Sequence, residues 1–318
     1  MTESFRRISR LLLGALLLTT GCATASRVPL GEANAQRLKT VRPVVALSQQ
    51  ELKTSIVPST SGVAFGLIGA IIDTSTNNSN AKSAEEKVIP VRNALIGWEA
   101  RDVLRQALER EVVPVAVLKA SKIEVRQLPD TKDAVAALVA GTKEDALFLL
   151  QTDYRLSPTF DRMVITAKAT LIPAQIAATE VEKAAATERA TAGDNSGPKP
   201  LYANTFVTSA ALPGFVAGKT TMEEAAAMWA GERGRAARSA LDGGVNELAR
   251  MIAFDVVQAG PAGKIDPNAT YDAPPDAKPV TSVGPQAVGR LDGFAIRQEN
   301  GRVWLRASTG ELAAVEAL

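Results

Sequence analysis

Histidine is absent from this 318-residue chain. That removes a Ser-His-Asp triad, a Cys-His pair and any imidazole general base. A zinc site would have to be built from carboxylates alone, which is unusual. Cysteine occurs once, at Cys22. No intramolecular disulfide can staple the fold, so stability must come from the core, and the chain is long enough to bury one. The N-terminal apolar run, residues 11–18, is too short to cross a bilayer, which takes about 20 residues. Excess charge is lacking too. Removing residues 1–21 takes away Arg6, Arg7, Arg10 and Glu3, leaving equal numbers of basic and acidic residues. A neutral chain argues against a polyanion-binding surface, so nucleic acid is not expected as a partner.

What is present begins at the N-terminus. Three arginines, the apolar run and Thr19-Thr20-Gly21-Cys22 follow one another. This is the layout of a targeting segment, set apart from fold reasoning. The Gly-Cys ending resembles the bacterial lipobox, although Thr19 stands where that family usually has Leu. The resemblance implies a signal peptide over 1–21 and a diacylated, palmitate-type Cys22 as the first mature residue. Ala23 in place of Asp implies sorting to the outer membrane. Two or more acyl chains anchor stably where one does not. An ordinary signal peptide with a chance cysteine is the competing reading. The position of the lone cysteine, directly behind the apolar run, argues against it.

Residues 22–40 are polar and unpatterned, and read as a flexible tether. Residues 41–47 and 52–57 read as strands, 74–80 as a loop, and 81–110 as a helix kinked or restarted at Pro90. Residues 112–118, "VVPVAVL", read as a short strand, and 121–128 stay ambiguous. A short helix follows over 131–141, capped by Asp130 or Thr131 and stopped by Gly141. Three long antiparallel strands are expected over 145–158, 162–174 and 201–212, with an exposed helical excursion over 179–200. Residues 220–258 read as helix, weakened by glycines and opened by a capping box at Thr220 or Thr221. Prolines stiffen a linker over 259–285. Residues 286–318 carry Asn300-Gly301 between alternating runs, the signal of a hairpin. They form a small β-meander, expected as a module that docks on the main domain or a partner and can be removed without unfolding it.

The fold class is therefore α/β (α+β), a mixed sheet with antiparallel hairpin strands packed by helices, over residues 41–258, plus the meander. "VVAL", "ALIGWEARDVLRQALERE", "VPVAVL" and "DAVAALVAGTKEDALFLLQTDYRL" resemble, in order of elements, periplasmic lipoprotein domains of the curli-secretion and TolB-N-terminal type. That resemblance implies a helix–sheet domain used for binding or assembly in the envelope. It carries no catalytic residues.

Several motifs lead away from chemistry. "PGFVAGKTT", 213–221, has three residues between Gly214 and Gly218 where a Walker loop needs four, and Pro213 lacks the N–H the missing position requires. No nucleotide is expected. Ser79 and Lys82 match S-x-x-K, but its companion motifs are missing. Asp153, Asp161, Glu223 and Glu224 could act as paired acids, yet their spacing sets no carboxylate separation. Arg233, Arg235 and Arg238 share a helix and could face phosphate, with Asp242 four residues after Arg238 as a local ion-pair partner. Arg297 and Trp304 fall opposite each other across the hairpin, where a cation–π pair would make Trp304 either a binding aromatic or a packing residue.

The stretch "SGVAFGLIGAIID", 61–73, is apolar all round. As a helix it places Gly62, Gly66 and Gly69 on one stripe, with Ile71 and Ile72 beside it. Such a stripe admits another backbone closely. It serves either burial in its own domain or a membrane-surface or subunit contact.

The expectation is a non-catalytic, lipid-anchored outer-membrane lipoprotein facing the periplasm, without cofactor or metal. It would bind or assemble with envelope proteins or with itself. A carboxylate-dependent enzyme on an envelope polymer and a secretion-channel component are the alternatives.

Overall fold

The computed structural model describes residues 27–55, 78–129, 131–174, 199–258, 279–282, 291–299, 301–307 and 310–316. Its backbone is one mixed sheet. β1 (Val41–Leu47) lies between β3 (Glu124–Gln127) and β4 (Ala146–Leu156), parallel to both. β2 (Lys53–Thr54) runs parallel to the end of β4. β5 (Arg162–Pro173) and β6 (Tyr202–Ala211) continue antiparallel from β4. β10 (Leu312–Glu316) pairs parallel with β6, then β9 (Arg302–Ala307), β8 (Leu291–Glu299) and β7 (Pro279–Ser282) follow antiparallel. The α/β class and the C-terminal meander expected from the sequence are both present.

Alternation in the strands explains the layers. Phe148, Leu150 and Tyr154 of β4, Ile165 and Ala167 of β5, and Phe206 of β6 point to one face, into the main core. That face is covered by α1 (Glu32–Arg37), α2 (Asn78–Lys87), α3 (Ile89–Ala94), α4 (Ala100–Glu111) and α6 (Met222–Gln258). Val44, Ala46, Leu147 and Leu149 point the other way and pack on Leu138 of α5 (Lys132–Ala140). Thr131 caps α5 by accepting from the Ala134 N–H.

α6 is two helices merged across a break. Gly231 is extended, and Glu232, Arg233 and Gly234 have positive φ. At Gly234 a Cβ would lie 2.9 Å from the Ala94 carbonyl oxygen, so the break is also a point of close approach to α3. Beyond it Ala237, Leu241, Val245, Leu248 and Ile252 form the buried stripe, at the spacing of an amphipathic helix. Gly244 is a packing device and not the weakness its sequence suggests. A Cβ there would meet Ile165 Cδ1 at 2.7 Å and Thr208 Oγ1 at 2.9 Å.

Several sequence expectations change. Residues 27–40 are not a tether. Val28 pairs with Ala203, and Leu30 and Leu38 are fully buried, because short apolar anchors hidden in a polar stretch suffice to dock it. Residues 112–118 form turns, with Val112, Val115 and Leu118 inward at a three-residue spacing. Pro114 has no N–H to give a ladder, and the strand falls instead at β3, in the ambiguous stretch. The helix over 81–110 is three helices. Pro90 opens α3 as expected, and a turn through Gly97 precedes α4. The meander docks on the main domain, one of the two placements expected for it. Its β10 extends the main sheet and its Trp304 lies in the main core.

Candidate functional site

The sheet has two unlike ends. β1, β3, β4, β6, β8 and β10 all run the same way. After β1 and β3 the chain takes opposite routes, since α4 packs on the main core face and α5 on the other. Where connections diverge like this, the carboxyl ends of parallel strands leave a crevice. A cleft of about 250 Å³ opens there, reached by Leu47 of β1, Gln127 of β3 and Tyr154 of β4.

Its walls are hydrogen-bonding groups on a rigid frame. Gln49 prolongs the ladder. Its Nε2 donates to the Tyr154 carbonyl at 2.7 Å and its Oε1 accepts from the Tyr154 N–H at 3.3 Å. Trp98 stands edge-on to Tyr154, with ring centroids 5.5 Å apart, and its indole N–H donates to Asp242 at 2.8 Å. Arg101 donates to the side-chain carbonyl of Gln127 at 3.0 Å. Burial, and then the nearby Glu51 charge, push the Tyr154 phenol up despite a hydrogen bond with Gln49. It therefore stays protonated at neutral pH. Gln50 and Glu99 complete the rim. The ionisable lining groups are Glu99, Arg101 and Tyr154. This arrangement suits recognition of a polar ligand or chain by amide and aromatic contacts.

The opposite end holds the N-terminal segment. Arg27 Nε donates to both oxygens of Asp255, at 3.1 and 3.2 Å. Asp255 also accepts from Arg306 at 2.7 Å, Tyr202 at 2.9 Å and Asn204 at 2.9 Å. Burial raises the Asp255 carboxyl, but the Arg306 and Arg27 guanidiniums and the Arg27 and Asn204 hydrogen bonds together hold it below the usual carboxylate range. Gly310 makes room, since a Cβ there would stand 2.5 Å from that of Arg27.

Of the residues singled out from sequence, Arg297 and Trp304 do pair across the hairpin. The guanidinium carbon sits 4.9 Å from the ring centroid. Trp304 is 1% exposed, donates to Glu247 at 3.0 Å and stands edge-on to Phe254. It packs and is closed to an outside ligand. Cys22, Gly62, Gly66, Gly69, Ile71 and Ile72 lie outside the described residues.

The motif residues have structural roles. Asp153 pairs with Arg155 and Glu223 with Lys87. Asp161 accepts from Ser157 and Thr159. Glu224 and Thr221 form the capping box, exchanging bonds of 2.8 and 3.2 Å. Arg235 pairs with Glu232. Arg238 donates to the carbonyls of Ala94 and Ile96 at 2.8 Å, so the expected pair with Asp242 gives way to Asp242 receiving Trp98. Ser79 and Lys82 fall in α2 and not in a loop.

The sequence held a usable sign of the cleft, "SQQ" directly after the apolar run of β1. The sign becomes readable only once β3 and β4 are known to flank β1. Among the described residues no helix is long and apolar enough to cross a membrane, and no group of three or more His, Cys, Asp or Glu is placed to hold a metal. The chain matches no protein-family model, no curated protein and no solved structure.

Proposed function

We propose that this chain is a lipid-anchored envelope lipoprotein, acylated at Cys22, that works by binding or assembly with envelope proteins or with itself and performs no catalysis. Cys22 carries the reading, as the sole cysteine of the chain, placed directly behind a basic and apolar leader. The frame of the fold supports it. The acids that might have served as general acid and base are held in ion pairs, turns and caps. The cleft at the carboxyl ends of β1, β3 and β4 offers amides and aromatics, and it lies at the end of the sheet away from Arg27. An acylated Cys22 would leave that cleft pointing off the membrane, toward partners in the periplasm.

The test is crosslinking in living cells from a photoreactive residue at Gln50, on the cleft rim. Capture of the same envelope protein, or of a second copy, lost when Trp98 is replaced by Ala, supports the reading. Capture unaffected by that change sinks the cleft as the binding site. Absence of fatty acid on Cys22 sinks the anchor.

A further inference from the structure

Among the described residues, several cations gather at one end of the sheet. Most of the strand starts at the Arg27 end are preceded by an exposed cation. Lys39 precedes β1, Lys122 precedes β3, Lys143 precedes β4 and Lys199 precedes β6. Arg37 closes α1 beside them. Lys119 joins this rim through the bridge of Ala120 to Val41, with its ammonium on the Leu38 carbonyl. The acids at this end are mostly engaged. Asp145 is spent on the backbone N–H groups of Lys39 and Thr40, at 2.7 and 2.9 Å, Glu124 at the start of β3 is paired with Arg42 and Arg126, and Glu32 and Glu144 stand beside the cations. At the opposite end, acids such as Asp153, Glu85 and Glu316 are matched to Arg155, Arg92 and Arg162.

The same end carries the chain toward Cys22. Arg27 is locked on Asp255, and Val28 is paired to Ala203. Cys22 precedes Arg27 by five residues. Fully extended, that link reaches only about 17 Å, not the span of a long tether.

We propose that the rim formed by Arg37, Lys39, Lys119, Lys122 and Lys143 is a membrane-seating surface that rests on anionic lipid headgroups. This rests on the anchored reading of Cys22. The short link keeps the rim close enough to the bilayer to come within the range where a negative surface attracts lysine and arginine. At physiological salt that attraction fades over about 8 Å. A rim kept close by its own anchor therefore feels it, and a domain on a long tether would not. Seating fixes the orientation of the sheet and turns its carboxyl-end cleft outward.

The test uses the full acylated chain in vesicles of phosphatidylethanolamine and phosphatidylglycerol containing headgroup spin labels. With Cys22 acylated, a fluorophore can be placed on one introduced cysteine, Ser121→Cys on the rim or Gln50→Cys at the far end. The rim probe is expected to be quenched roughly threefold or more above the far probe. Lys122→Glu with Lys143→Glu, or high salt, is expected to narrow that ratio toward one. Equal quenching at both sites, or stronger quenching at Gln50→Cys, on chain shown by intact mass to be acylated, overturns the seating surface alone. Chain that carries no acyl group overturns the anchor reading, and the seating surface with it.

Discussion

Arg27 and Asp255 are separated by 228 positions in sequence and joined by an ion pair in which the Arg27 Nε–H is shared between both carboxylate oxygens, with almost no solvent exposure. Through this pair the first described residue is held to the last turns of the longest helix. Arg306 reaches the same carboxylate, so three distant parts of the chain share one buried charge. A buried ion pair is weak evidence for net stability, but removing one partner is costly, because the other charge stays behind.

Asp255→Asn is therefore expected to lower stability by about 3–5 kcal/mol. Urea unfolding followed by circular dichroism gives the midpoint shift. A change below about 1 kcal/mol would show that water reaches Arg27 and Arg306.

The same carboxyl makes a pH prediction. Its folded value lies below the ordinary 3.8, so the stability it contributes is complete above the unfolded value. That contribution is lost as pH falls through the lowered folded value. Between about pH 7 and about pH 3, the natural chain is expected to lose more stability than Asp255→Asn. Parallel acid losses in both proteins would assign the acid sensitivity to other carboxylates.

Two adjacent glycines in α6 separate propensity from packing. Gly243→Ala meets nothing within 4 Å and is expected to stabilise by about 0.5–1 kcal/mol. Gly244→Ala drives a methyl to 2.7 Å from Ile165 and is expected to destabilise by about 1–3 kcal/mol. Thermal melts of the two variants should move in opposite directions.

Deleting residues 286–318 is expected to abolish cooperative unfolding. The deletion strips β10 from β6 and leaves Glu247 without Arg302 and Trp304, its partners at 2.5 and 3.0 Å. Trp304→Ala alone is expected to cost about 3–5 kcal/mol. A truncated chain that still melts in one sharp transition would restore the view of the meander as a separable module.

Cys22→Ala is expected to abolish fatty-acid labelling and to move the protein from the membrane to the soluble fraction. Two-chain anchoring leaves no comparable membrane affinity behind when it is lost. Label persisting on that variant would overturn the anchor.

Periodicity made much of the fold legible. The apolar alternation of β4, β5 and β6 and the hairpin signal between β8 and β9 are local, and the strands they announce are observed, with Glu299 paired to Arg302. The fate of residues 27–40 was not legible, since Leu30 and Leu38 carry no period. The inward face of β9 was not legible either. Arg302, Trp304 and Arg306 share its inward face and meet Glu247 and Asp255 of α6. A pattern of alternating charge usually marks a solvated face, and only the partner helix reveals a buried one.

By itself the sequence determined the absence of imidazole and of intramolecular disulfide chemistry, the single acylation candidate, the strand alternation and the near-balance of charge, +2 over the whole chain. These are properties of composition and of neighbours along the chain. Tertiary structure alone decided that Gly244 is a packing contact, that the meander completes the core, and that Gln49, Trp98 and Tyr154 share a cleft. It also decided that lysines scattered from Lys39 to Lys199 gather at one end. The reason is physical. Strand direction and pairing are set by contacts between residues far apart in sequence, and a charge has a neighbourhood only after those contacts form.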